Sequence, residues 1–255
     1  MTIDINRYLS GVLYQYSITP LQRAEISAIE KIILPVINAW GQGYIADIST
    51  GGSHAKGTAV KGGTDIDYFV SVSSSATQFT LAHIYDTLFK DLNAPGFNPR
   101  RQNVSIGIKI AGKSVDIVPA RRQSQFGGDH WLYSTKRRSH MQTNIQRHIS
   151  TIQKSGRIDE IKLIKIWRNR KGLDFPSFYL ELVVLRALTG RLHGDLANNI
   201  EAVLVFIRDQ ITTARIVDPS NTNNIISEQL NVTEKSILAM NARQALSNPW
   251  SQEFA

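Results

Sequence analysis

The residues best suited to chemistry are two aspartates with one residue between them, in Thr64-Asp65-Ile66-Asp67-Tyr68-Phe69-Val70-Ser71-Val72. The segment alternates as a strand does, and side chains two apart on a strand share a face. Asp65 and Asp67 therefore stand together, while Ile66 and Tyr68 turn toward a core. Adjacent carboxylates repel unless something positive lies between them. A divalent cation is the usual remedy, and Mg²⁺ takes a few carboxylates together with substrate phosphates. A third aspartate, Asp116, lies between Val115 and Ile117 in a second alternating segment. If the two segments are neighbouring strands, three carboxylates converge. That would suit a two-metal site, with one ion activating an attacking hydroxyl and the other holding a triphosphate. An isolated D-x-D is more often surface decoration than catalysis, so its surroundings decide.

Those surroundings are rich in glycine. Gly51, Gly52, Gly57, Gly62 and Gly63 precede the aspartates, and glycine gives a backbone freedom to approach a ligand closely. Ser53 and the amides around it can donate to phosphate oxygens. A Walker loop is excluded, because Lys56 precedes Gly57 and Thr58 stands where the phosphate-binding lysine belongs. The loop also leads into a strand instead of opening a helix. A dinucleotide fingerprint at Gly41-Gln42-Gly43 lacks its third glycine, with Ala46 in that place.

The elements that must position these residues divide the chain in two. Ile26, Ile29, Ile33 and Val36 recur at spacings of three and four, so residues 20–40 are expected to form a helix with Pro20 at its start and a kink or break at Pro35. Residues 44–49 are a short β-like run, and 76–92 a helix over Leu81, Ile84, Leu88 and Phe89. Val104, Ile106, Ile108 and Ile110 alternate, Ala111-Gly112-Lys113 turns, and Val115 and Ile117 resume the pattern, which is a β-hairpin signal. Beyond about residue 138 the β signals fade, and 139–153, 157–171, 177–189, 197–215 and 233–246 are expected to be helical. The expected fold is α+β, an N-terminal mixed half followed by a helical half. Lys162, Lys165 and Arg168 form a basic stripe that, taken alone, suits a solvated helix face.

Composition sets the limits. The 255 residues include 29 Lys and Arg against 21 Asp and Glu, a formal net charge of +8. Such an excess suits phosphate-rich partners, nucleotides or nucleic acid, as well as it suits a solvated basic surface. There is no cysteine, which excludes disulfides and thiolate metal sites. The six histidines have no zinc-ligand spacing. No apolar run approaches membrane length, and no signal-peptide pattern is found. A cytoplasmic protein without a membrane partner is expected.

Gly52-Ser53, Lys56-Gly57-Thr58-Ala59 and Thr64-Asp65-Ile66-Asp67 together resemble the signature of the polymerase-β-like nucleotidyltransferases. The spacing is that of G-S-x-x-K-G-T, five residues, then T-D-x-D, the form found in oligoadenylate synthetases and bacterial cGAS/DncV-like nucleotidyltransferases. Val115-Asp116-Ile117-Val118-Pro119-Ala120 resembles the strand carrying that family's third carboxylate. Lys165-Ile166-Trp167 and Pro176-Ser177-Phe178-Tyr179-Leu180-Glu181 resemble its helical-lobe pattern, with Phe178 where many relatives carry tyrosine.

The resemblance implies a bilobal polymerase-β-like fold. Residues 1–138 would form the catalytic lobe and 139–255 a helical nucleotide-binding lobe, with an N-terminal helix spanning both. It implies two Mg²⁺ ions, or Mn²⁺, held by Asp65, Asp67 and Asp116. Gly52, Ser53, Lys56 and Thr64 would contact the nucleotide. Lys165 would reach the triphosphate, Ser177 the triphosphate or ribose, and the Phe178 ring the base. Glu181 is expected to be a structural partner of a basic neighbour. The implied reaction joins NTPs into a cyclic or linear oligonucleotide messenger with release of pyrophosphate, of the kind used in bacterial anti-phage (CBASS-type) signalling. The implied protein is a monomer, with a protein or nucleic acid as possible activator. Two rivals share the scaffold: an RNA-directed enzyme of the tRNA CCA-adding or poly(A) polymerase kind, and a non-catalytic nucleotide-binding or antitoxin-like relative.

Overall fold

The computed structural model describes residues 4–63 and 65–254. They fall into two compact units, each built from separated stretches of chain. One unit takes 18–56 and 64–149; the other takes the N-terminal residues to 17, the loop 57–63 and everything from 150 onward. The expected boundary at 138/139 thus moves to 149/150, and a short internal loop joins the second unit.

The first unit is a mixed sheet with helices. Its elements are α2 (Pro20–Gly41), β1 (Ile45–Thr50), α3 (Gly52–Lys56), β2 (Ile66–Val72), α4 (Leu81–Asn93), β3 (Arg100–Arg101), β4 (Ile106–Ile110), β5 (Lys113–Arg122), β6 (His130–Ser134) and β7 (Ser139–Thr143), preceded in the chain by α1 (Ile5–Gln15). The strand order is β1-β2-β5-β4-β3, with β6 pairing β5 and β7 pairing β6. β2 and β5 are parallel; the other pairings are antiparallel. The β4–β5 hairpin turns on Ala111 (φ 49°) and Gly112 (φ 78°), the positive-φ pair that a two-residue hairpin turn demands. Thr19 and Gln22 form a capping box at the start of α2, and Thr80 caps α4. Pro35 lies inside α2, which continues through it as one helix of 22 residues.

Alternation sorts the sheet's two faces. Ile66, Tyr68 and Val70 join Ile106, Ile108, Ile110, Val115 and Ile117 in a core with Ile29, Ile33 and Ile37 of α2 and Tyr85, Leu88 and Leu92 of α4. The opposite face carries Asp67 and Asp116, with a smaller apolar cluster of Phe69, Ala120 and Leu132 alongside.

The second unit is helical. It contains α1, α5 (Ile145–Gln153) from residue 150 onward, α6 (Ile158–Arg170), α7 (Ser177–Ala187), α8 (Leu196–Gln210), a short hairpin of β8 (Val217–Asp218) and β9 (Asn221–Ile225), α9 (Val232–Ser247) and α10 (Trp250–Phe254). α6 is its centre, burying Ile161, Leu163, Ile164, Ile166 and Trp167 among α7, α8 and α1. No described helix is long and apolar enough to cross a membrane.

Two expectations are corrected. Residues 139–153 are not one helix: 139–143 form the strand β7, and only 145–153 are helical. The basic residues of α6 are not a solvated stripe, because Lys165 is buried and Lys162 and Arg168 are half-buried.

Candidate active site

The parallel pairing of β2 with β5 sets the geometry. Asp67 and Asp116 are direct cross-strand partners, so their side chains leave the sheet side by side on one face. Asp65, exposed, is the last residue before β2. Asp67 and Asp116 are half-buried. Burial pushes the Asp116 carboxyl above its usual range, and the negative charge of Asp65 pushes the same way, against a hydrogen bond from Gln102 and the positive charge of Arg100. Among the described residues no three His, Cys, Asp or Glu groups already form a metal-holding cluster; the folded chain pairs two carboxylates, Asp67 and Asp116, and the third, Asp65, acts electrostatically on Asp116. The donor set is nonetheless that of a hard divalent cation, carboxylate oxygens and nothing softer.

The glycine loop contains more order than its sequence suggests. Gly51 N donates to Asp67 O at 2.8 Å, and the chain then turns into α3. Gly52 has φ 54°, and a Cβ there would overlap the carboxylate of Asp67. Only glycine lets the start of α3 lie against that acid. Ser53 is half-buried within α3, and Lys56, at its end, is buried. Thr64 lies outside the described residues.

Across β5 the row of residues continues. Gly107 on β4 is the partner of Asp116, and Arg100 on β3 is the partner of Gly107. A Cβ on Gly107 would stand 2.6 Å from Gln102 Nε2 and 3.1 Å from Asp116 Oδ1. Gln102 Nε2 donates to Asp116 Oδ1 at 2.9 Å. The sequence carried no signal for Gln102, Gly107 or Arg100, whose relation to Asp116 exists only through strand register.

In the helical unit Lys165 is 2% exposed. Its Nζ donates to Glu181 Oε1 at 2.6 Å and to Thr58 Oγ1 at 2.8 Å, and Thr58 Oγ1 donates to the same Glu181 oxygen at 2.9 Å. Glu181 is the structural partner of a basic residue, as its sequence setting suggests. Ser177 is exposed at the first position of α7 and accepts from Arg168 Nη1 at 3.0 Å. Phe178 is half-buried against the helical core. Lys136, Arg137 and Arg138 form an exposed turn between β6 and β7.

The chain has the fold of the polymerase-β-like nucleotidyltransferases, and its signature residues resemble those of the cGAS/DncV-like branch. No protein-family profile matches it. A cyclic AMP-AMP-AMP synthase of Escherichia coli strain MS 115-1 is 26% identical over 198 residues, 68% of this chain and 61% of the synthase. The chain thus spans about three-fifths of that relative's length. Among solved structures, the nucleotidyltransferase CdnG of Bradyrhizobium diazoefficiens in complex with GTP superposes with a TM-score of 0.76 at 14% identity, over 96% of this chain and 90% of that one. The Cid1 poly(U) polymerase bound to MgATP gives 0.71 at 14% identity, over 100% and 99%.

Proposed function

We propose that this chain is a divalent-metal-dependent nucleotidyltransferase that joins NTPs into a cyclic or linear oligonucleotide messenger, with release of pyrophosphate, in CBASS-type signalling. The observation that carries the reading is the register of β2 and β5, which sets Asp67 beside Asp116 while Gly52 brings the start of α3 against the Asp67 carboxylate. Asp65, Asp67 and Asp116 would hold Mg²⁺ or Mn²⁺, which when bound supplies charge neutralisation at the phosphates and acidity at the attacking hydroxyl. Asp116, made more basic by burial and by Asp65, would take up the proton of the ribose hydroxyl that attacks the α-phosphate. The amides around Gly52 and the Ser53 hydroxyl would orient the phosphates. Most of the gain in such a transfer comes from positioning and electrostatic stabilisation.

The experiment is incubation with Mg²⁺ and all four NTPs, each α-labelled in turn, followed by phosphatase. Label that survives as a compact species supports the reading and identifies the bases. The double variant Asp65→Asn/Asp67→Asn should abolish the product with the fold intact; an active double variant would refute the metal assignment. The likeness in fold to Cid1 supports a second reading, RNA-directed addition of nucleotides. Label entering only an added RNA would establish that one instead.

A further inference from the structure

A carboxylate that takes a proton from one hydroxyl and shares a cation must be held in one plane. The terminal torsion of an aspartate is broad and does not hold itself. On the open sheet face around Asp116 one neighbour can supply the restraint. Gln102 Nε2 reaches Asp116 Oδ1 at 2.9 Å. A glutamine amide has two faces, and turned over it would set its own oxygen against the acid. The ionised carboxylate can only accept, which selects the donor end of the amide, and the Ser105 hydroxyl donates to Gln102 Oε1 at 2.6 Å and pins the other end. Ser105 is buried, 7% exposed. The amide is therefore held at both ends, with its donor end toward Asp116.

The loop itself does not need that side chain. The Tyr85 hydroxyl donates to Ser105 O at 2.8 Å and to Gln102 O at 3.1 Å. Thr135 Oγ1 donates to Gln102 O at 2.9 Å, and Gln102 N donates to Ser105 O at 3.1 Å. These bonds hold the main chain around Gln102 without using the Gln102 side chain. The amide's remaining use is toward Asp116, and Gly107 keeps the path between them clear.

We infer that Gln102, oriented by Ser105, is a positioning residue that fixes the carboxylate of Asp116 by occupying Oδ1 and directing Oδ2 to the reacting side. The inference rests on the nucleotidyltransferase reading above. The test uses the full chain and the variants Gln102→Leu, Ser105→Ala and their combination. Gln102→Leu should lower kcat by about tenfold, the low end for loss of a partner that orients a metal ligand, with KM for NTP and Tm unchanged. Ser105→Ala should lower kcat in the wild-type background and do nothing further beside Gln102→Leu, since Ser105 acts through the amide.

Mn²⁺ affinity, followed by the EPR signal of the free ion, is read in parallel and should weaken in Gln102→Leu. Wild-type kcat and Mn²⁺ affinity in Gln102→Leu would overturn the inference and leave the reaction standing. So would additive losses in the double variant, or a loss of activity that follows a lowered Tm. A wild-type chain that makes no product, yet binds Mn²⁺ more tightly than Gln102→Leu, would overturn the reaction and keep the positioning role. A wild-type chain that neither makes product nor binds Mn²⁺ would overturn both.

Discussion

Lys165 separates two physical roles that one sequence motif allows. As a triphosphate contact it would need its ammonium in reach of solvent and substrate. In the structure that ammonium lies 2.6 Å from Glu181 Oε1, with side chains 3% and 1% exposed. Thr58 closes the triangle with bonds of 2.8 and 2.9 Å. Lys165→Met takes the cation away from a buried carboxylate, a change that costs about 3–5 kcal/mol. For a chain of this size each kcal/mol lowers the melting temperature by roughly 2–4 °C, so a fall of about 6–20 °C is expected. The double variant Lys165→Met/Glu181→Leu removes both charges and should recover most of that loss, because an apolar pair of similar volume is often as stable as a buried ion pair. Thr58→Val, which gives up two hydrogen bonds without exposing a charge, should cost about 1–3 kcal/mol. The assay is thermal unfolding without nucleotide, beside KM for NTP at a temperature where every variant is folded. A Lys165→Met protein that melts with the wild type and differs only in KM would refute the argument and restore the phosphate contact.

Two further outcomes follow from single contacts. Gly52→Ala places a Cβ on the Asp67 carboxylate at a backbone angle that disfavours any side chain; displacing that acid by the order of 1 Å should cost about a hundredfold in turnover, and a fully active variant would remove Gly52 from the site. His130 is buried, held by Ser71 Oγ at 2.8 Å and Gly128 O at 2.9 Å, and its burial lowers its pKa, with Arg122 adding to the effect. A histidine kept neutral by the fold adds stability that is present above the ordinary value of about 6.5 and is lost as pH falls through the lower folded value. Melting temperature should therefore drop on acidification below that range, and the drop should shrink in His130→Gln; an unchanged slope would show that other groups carry it.

What the sequence disclosed and what it concealed differ in range along the chain. The D-x-D alternation, the G-S-x-x-K-G-T spacing and the hairpin through Ala111-Gly112 are local patterns, and each fixes a local geometry. Ser139 to Thr143 carries only one strongly apolar residue, Met141, so neither period stands out, and its strand state comes from pairing with β6. Lys162, Lys165 and Arg168 have the spacing of a solvated stripe because periodicity cannot register Glu181 and Thr58, which neutralise and hold Lys165 from distant positions. The same long-range bonds explain why residues 57–63 leave the sheet unit. Thr58 is held by Lys165 and Glu181, and Lys61 N donates to Tyr16 O at 2.8 Å.

The register of the sheet carries the chemistry more than any single residue does. Shifting β5 against β2 by one residue would turn Asp116 into the apolar core and bring Ile117 to the open face. In the observed register the row across the sheet runs Gly51, Asp67, Asp116, Gly107 and Arg100. Glycines flank the two acids on both sides, so no side chain from the adjoining strand positions fills the space beside them. Gly52 admits the start of α3 on one side, and Gly107 leaves room for the Gln102 amide on the other. A side chain at either glycine would displace a neighbour that positions an acid, leaving the carboxylate itself chemically unchanged. The acids are the part of this row that sequence makes conspicuous, but the gaps beside them are what the proposed reaction would need if a hydroxyl and a triphosphate are to reach them.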